Sequence, residues 1–168
     1  MSKSDDMVLV KGLSYKVPSW IVPYYLSSIE RCYEAIKNDK PQVYVASKLS
    51  LASEWKTFRQ IWEPSFCVNS SWIDIIGKVP DDPEYAQHFW LLDFFDIRNC
   101  NFLIIKGTET IPLKGALVEA GYALANDKTV ITIGDHISYK TWQHYPPVQN
   151  VADTTAAAQY IIDFWDAF

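Results

Sequence analysis

Short apolar runs alternate with longer stretches of mixed polarity along most of this chain, a pattern that predicts strands separated by helices. Gln42-Val-Tyr-Val-Ala46 is β-branched and aromatic and is predicted as the first core strand, with a weaker second one over 66–69. Residues 102–105 and 129–133 read as the third and fourth. Between and after them, helices are predicted over 53–62 (closed by Pro64), 85–100 (interrupted by Asp93, Asp96 and Arg98) and 113–126. A last helix starts after the N-cap residue Asp153 and runs to Trp165. Such alternation implies parallel pairing and right-handed crossovers, hence a three-layer α/β domain of flavodoxin-like or Rossmann-like form. The first 41 residues fit less well. Residues 7–10 suggest an extra strand and 20–38 an aromatic-rich helix with Pro18 and Pro23 near its start, so an N-terminal arm, 1–41, precedes a domain over 42–168.

The segment that follows the third strand carries the clearest candidate chemistry. Lys106-Gly-Thr-Glu-Thr-Ile-Pro-Leu-Lys-Gly115 turns into a helix of mostly Ala and Leu, on which Glu119 is nearly alone as a charge. The positive end of the helix dipole favours its ionised form, and partial burial favours the protonated form. A poorly solvated carboxylate at the mouth of a strand-loop-helix unit suits a covalent nucleophile, while a solvent-facing helix glutamate has the same spacing.

Composition narrows the function classes. A net charge of −5 and a pI of about 5.1 argue against a nucleic-acid-coating surface. No run of 18 apolar residues occurs and the first residues lack the apolar core of a signal peptide, so a cytoplasmic chain without membrane partners is expected. Cys32, Cys67 and Cys100 are widely separated and read as buried free thiols. His88, His136 and His144 form no metal-binding pair, and neither a metal nor a cofactor is expected.

In open α/β sheets ligands bind beyond the carboxyl ends of the strands, where the strand order reverses. Flavodoxin-like order places that point between the first and third core strands. The loop Ser47-Lys48-Leu49-Ser50 and the loop 106–115 would then open onto one crevice, with Tyr44 and Glu119 at its wall. Neither GxGxxG nor GxxxxGK[ST] is present, although Lys114-Gly115 at a helix start could hold an anion.

Val43-Tyr-Val-Ala46, Asp93-x-x-x-Ile97, an apolar strand and Gly115-x-x-x-Glu119-x-Gly121-x-Ala123 together resemble the nucleoside 2-deoxyribosyltransferase-like superfamily. Pro112–Glu119, Ser71-Trp-Ile-Asp74 and Trp142-x-His144-x-x-Pro147-Val148 resemble a branch frequent in phage and prophage genomes. The resemblance implies that Glu119 attacks an anomeric carbon, that Tyr44 positions it, and that Asp93 handles the proton of the base. It further implies that Gly115 lets the backbone approach the sugar, and that copies of the chain associate as a homodimer or larger. Leu113 and Asn101 stand where the family commonly has acids, and Lys48, Lys106 and Lys114 suit a phosphorylated substrate. Asp74 is a further candidate for substrate binding, or a helix or turn cap. Cleavage or transfer of an N-glycosidic bond is the leading expectation; a nucleotide-binding module without turnover and an interaction protein built on the aromatic arm are the alternatives.

Overall fold

The structure, a computed structural model, describes residues 5–10, 13–77, 83–108 and 110–167. Parts of the arm (1–4 and 11–12) and Glu109 of the loop before Gly115 therefore lie outside the described residues. The arm begins with an antiparallel hairpin, β1 (Asp5–Val10) and β2 (Leu13–Pro18), and continues into helix α1 (Val22–Lys37). Pro23 sits in its first turn, where the missing amide proton costs nothing.

The domain then alternates. Strand β3 (Gln42–Ser47) leads to α2 (Ala52–Trp62), and β4 (Cys67–Val68) to a single helical turn, α3 (Trp72–Ile75), and the long α4 (Pro83–Arg98). Strand β5 (Phe102–Lys106) feeds α5 (Gly115–Ala125), and β6 (Thr129–Ile133) precedes β7 (Val148–Val151) and α6 (Thr154–Asp166). Asp153 caps α6 through a 2.8 Å bond from the Ala156 amide, as its residue type predicts. The sheet is wholly parallel with strand order β4-β3-β5-β6-β7, which reverses direction at β3 and β5 as flavodoxin-like order requires. Strand β7 is not predicted by the hydrophobic pattern. It is an edge strand in which Val148 alone is buried, so no apolar run marks it.

Alternation along β3 assigns the layers. Ser47 accepts a bond from the Trp55 indole of α2, and Phe102, the register partner of Val43, packs edge-on against Phe164 of α6. Helices α2 and α6 therefore cover one face. Tyr44 points the opposite way and reaches α5, which α4 joins through stacked Phe94 and Tyr122 at 4.2 Å. Both faces of the central strands are covered, and residues 43–46 and 102–105 are buried.

Helix α1 lies over α4 rather than apart from the domain. Val17, Ile21, Tyr25, Ile75 and Leu92 form a second apolar cluster that spans arm and domain. The opposite side of α1 exposes Leu26, Ile29, Tyr33 and Ile36.

Candidate functional site

Strand β4 is only two residues long, and the way its pairing is extended shapes the site. Beyond it, Ser70 Oγ accepts from the Val45 amide at 2.7 Å and the Trp72 indole donates to the Val45 carbonyl at 2.8 Å. Side chains thus satisfy the buried backbone of β3 that lacks a strand partner. Ser47 and Lys106 are register partners at the carboxyl ends of β3 and β5, so the loops they start diverge at the switch point, where open α/β sheets form their crevice.

Tyr44, on β3, and Glu119, on the second turn of α5, meet beneath that crevice. The Tyr44 hydroxyl donates to Glu119 Oε1 at 3.1 Å. Tyr44 has no exposed surface and Glu119 is 9% exposed. Burial pushes the Glu119 carboxyl from its ordinary 4.5 up to about 7, with the Tyr44 bond pulling the other way. Asp93, on α4, joins them. Burial first, then the like charges of Glu119 and Asp96, lift its carboxyl well above the ordinary range, and a bond with Tyr44 opposes the shift. Asp93 keeps part of its surface open to solvent, although its carboxyl is desolvated. Two interacting carboxyl groups do not both ionise readily, so burial and mutual repulsion hold both above the ordinary carboxylate range. The same burial, with Asp93, Glu119 and Asp96 nearby, keeps the Tyr44 phenol neutral.

The approach to this cluster is aromatic. Trp90 on α4 packs on Phe94 at 5.5 Å, and a β-carbon placed on Gly115 would meet the Trp90 ring at 3.7 Å. Gly115 opens α5 one turn before Glu119, so Trp90, Gly115 and Glu119 share a wall.

The loop from β5 to α5 is braced by the segment after β6. The Tyr139 hydroxyl donates to the Ile105 carbonyl at 2.9 Å and accepts from the Gly107 amide at 3.2 Å. Ser138 Oγ accepts from the Leu113 amide at 3.1 Å. The Ser138 amide donates to His136 Nδ1, which assigns the ring proton to Nε2, 2.8 Å from the Thr108 carbonyl. A β-carbon on Gly107 would overlap the His136 imidazole, so a glycine is required there. Sequence reasoning missed this clamp, since His136 lies in a separate loop with no spacing signal.

The other predicted site residues fall in two places. Ser47, tied to Trp55, and half-buried Lys48 lie at the crevice edge of β3, and exposed Lys114 stands at the N-terminus of α5. Lys106, at the end of β5, is engaged by an ion pair with Glu54. Asp74 is drawn elsewhere. It accepts from Arg59 at 2.9 and 3.1 Å and lies 3.8 Å from Arg31. Both arginines line a cleft of about 290 Å³ between α1, α2 and β4, which Tyr44, Asp93 and Glu119 do not line. Asn101 lies at the opposite, amino end of the sheet, where its side chain and amide pin the Gln42 backbone at 2.8 and 2.7 Å. Its position is structural.

Cys32 and Cys67 are half-buried free thiols and Cys100 is a buried one; burial pushes Cys32 up to about 11 and Cys100 to about 12. Among the described residues no group of three or more His, Cys, Asp or Glu side chains is arranged to hold a metal, and no helix is long and apolar enough to cross a membrane.

The site is thus a buried cluster, Tyr44 bonded to Glu119 with Asp93 beside them, at the switch point of a doubly wound parallel sheet. No family model and no curated protein matches the chain. Among solved structures it is similar to a Clostridium botulinum CMP N-glycosidase, BcmB, at 16% identity and a TM-score of 0.45, over 76% of this chain and 99% of that one.

Proposed function

We propose that this protein cleaves the N-glycosidic bond of a nucleoside or nucleotide, with Glu119 as nucleophile and Asp93 as acid. The observation that carries the reading is geometric: Tyr44 donates to buried Glu119 at 3.1 Å, with Asp93 of α4 beside them, where the strand order of the sheet reverses.

Breaking such a bond develops positive charge on the sugar and negative charge on the departing base. Glu119 Oε attacks the anomeric carbon as the carbon–nitrogen bond breaks, and the bonding pair leaves with the base. Asp93 gives its proton to a base nitrogen, so the base departs neutral. The glycosyl ester on Glu119 is then opened by water or by an acceptor hydroxyl or nitrogen, whose proton returns to Asp93. Tyr44 holds the attacking carboxylate in place throughout. Lys48, Lys114 and the N-terminus of α5 suit a phosphate on the sugar, since they put positive charge at the crevice edge. Trp90 offers an apolar face beside Gly115 on which a base could lie.

The rate should rise as Glu119 loses its proton through about pH 7, then fall at higher pH as Asp93 loses its own. The experiment is a panel of nucleosides, their 5′-phosphates and NAD, with free base read by chromatography for wild type, Glu119→Gln and Asp93→Asn. Wild-type release that is abolished in Glu119→Gln, with sugar found on Glu119 by mass spectrometry of a trapped slow substrate, is the expected result. Undiminished release by Glu119→Gln removes that residue from the mechanism, and no release from any substrate removes the reaction.

A further inference from the structure

The arm reaches the acid side of the site through a buried carboxylate that the proposed reaction does not use. Asp96 lies one turn beyond Asp93 on α4 and has no exposed surface. Its Oδ1 accepts from Ser28 Oγ of α1 at 2.5 Å, and its Oδ2 accepts from the Ser71 amide, just past β4, at 2.7 Å. Ser28 Oγ also lies 3.0 Å from Asn69 Oδ1, and Arg31, one turn further along α1, donates to Ser71 Oγ at 3.0 Å. Arm, α4 and the β4 loop therefore converge on one side chain.

The two donors fall on different oxygens of Asp96, and only the ionised carboxylate accepts at both, since a neutral acid or amide presents a donor at one of them. Ionising a buried carboxylate is costly unless bonds and opposite charge offset the lost water. At Asp96 the bonds from Ser28 and Ser71 and the charge of Arg31 work against burial, which lifts the carboxyl from 3.8 to about 6. A bond accepted by each of its two oxygens, with the Arg31 charge nearby, suits the ionised form of Asp96.

That charge acts on Asp93, alongside the charge of Glu119 from α5. From β3, Tyr44 faces the same cluster as a neutral phenol. From α1, Tyr25 stands one turn before Ser28, 4% exposed, with its hydroxyl unpartnered among the described residues and held neutral by burial and by Asp96 and Asp93. Cys32 on α1 is likewise held neutral, by burial and then by Asp96.

We infer that Asp96, clamped by Ser28 and Ser71 one turn along α4 from Asp93, is a positioning residue whose charge favours the acid form of Asp93, which makes the arm helix part of the catalytic apparatus. The inference rests on the reading of Asp93 as the acid of the proposed reaction.

The test uses Asp96→Asn and Ser28→Ala in the full chain, with two readouts: carbon NMR titration of the Asp93 carboxyl, assigned by its loss in Asp93→Asn, and the pH profile of base release. Asp96→Asn removes the charge and keeps an acceptor for Ser28. Asp93 should then lose its proton at lower pH than in wild type, and the alkaline limb of base release should move down with it. Ser28→Ala should shift both in the same direction by less, because Asp96 then keeps its proton to higher pH. An unshifted Asp93 titration, with activity lowered evenly across the profile, makes Asp96 a cross-link only and overturns the inference. A shifted titration in a protein that releases no base upholds the coupling and discards the reaction instead. Should Asp96→Asn fail to fold, the Ser28→Ala titration decides on the same criteria.

Discussion

Replacing Glu119 by glutamine should stabilise the protein at alkaline pH while it removes base release. The carboxyl binds its proton up to about pH 7 in the folded chain, against an ordinary value of 4.5. Between those values the native state holds more protons than the unfolded one, so stability falls as pH rises through the window. At about 1.4 kcal/mol per pH unit, and allowing for the interaction with Asp93, the loss attached to Glu119 is roughly 2–3 kcal/mol above neutrality. Little solvent screening reduces it, because the side chain is 9% exposed. Glutamine keeps the shape and an acceptor for Tyr44 but cannot ionise. Urea unfolding at about pH 5 and about pH 8 measures the effect, since the variant should gain most of that 2–3 kcal/mol over wild type at the higher pH and little at the lower. Asp96 titrates through an overlapping window in both proteins and cancels in the difference. The same stability difference at both pH values would refute the claim that a charge is confined at Glu119.

Two further outcomes follow from the geometry. Tyr44→Phe deletes the donor that favours ionised Glu119, so the acidic limb of the rate profile should move to higher pH, with a loss of about 1.5 kcal/mol, near tenfold in rate at neutral pH; an unmoved limb would count against the assignment. Gly107→Ala drives a methyl into the His136 ring and should cost about 1–3 kcal/mol in thermal unfolding, with part of it recovered in the double variant with His136→Ala; a silent single variant would contradict the close approach.

The core strands were legible because each is a compact β-branched or aromatic run, buried on both faces: β3, β5 and β6 are found where the hydrophobic pattern predicts them. Glu119 was legible for the opposite reason, as one charge on an otherwise apolar helix, and the fold brings it to Tyr44 across 75 residues of sequence. Asp96 was not. In the run 85–100 it is one of three charged interruptions, and nothing local distinguishes the buried one from exposed Arg98. Its partner Ser28 belongs to an arm whose docking depends on aromatic packing such as Tyr25 on Phe95, which has no period to read. Asp74 likewise read as a substrate-binding candidate or a cap, because the two arginines that hold it come from α1 and α2, distant in sequence.

The clamp around Gly107 also bears on the order in which the protein becomes competent during synthesis. Tyr44 and Glu119 both precede the turn that steadies their surroundings, and the bonds to Gly107, Thr108 and Leu113 come from residues 25 to 32 positions downstream. A nascent chain that has emerged only as far as β6 carries both partners of the buried pair but nothing to hold the loop leading into α5. Maturation of the site therefore waits for the segment 136–139, although Tyr44, Glu119 and the strands between them have all been synthesised by then.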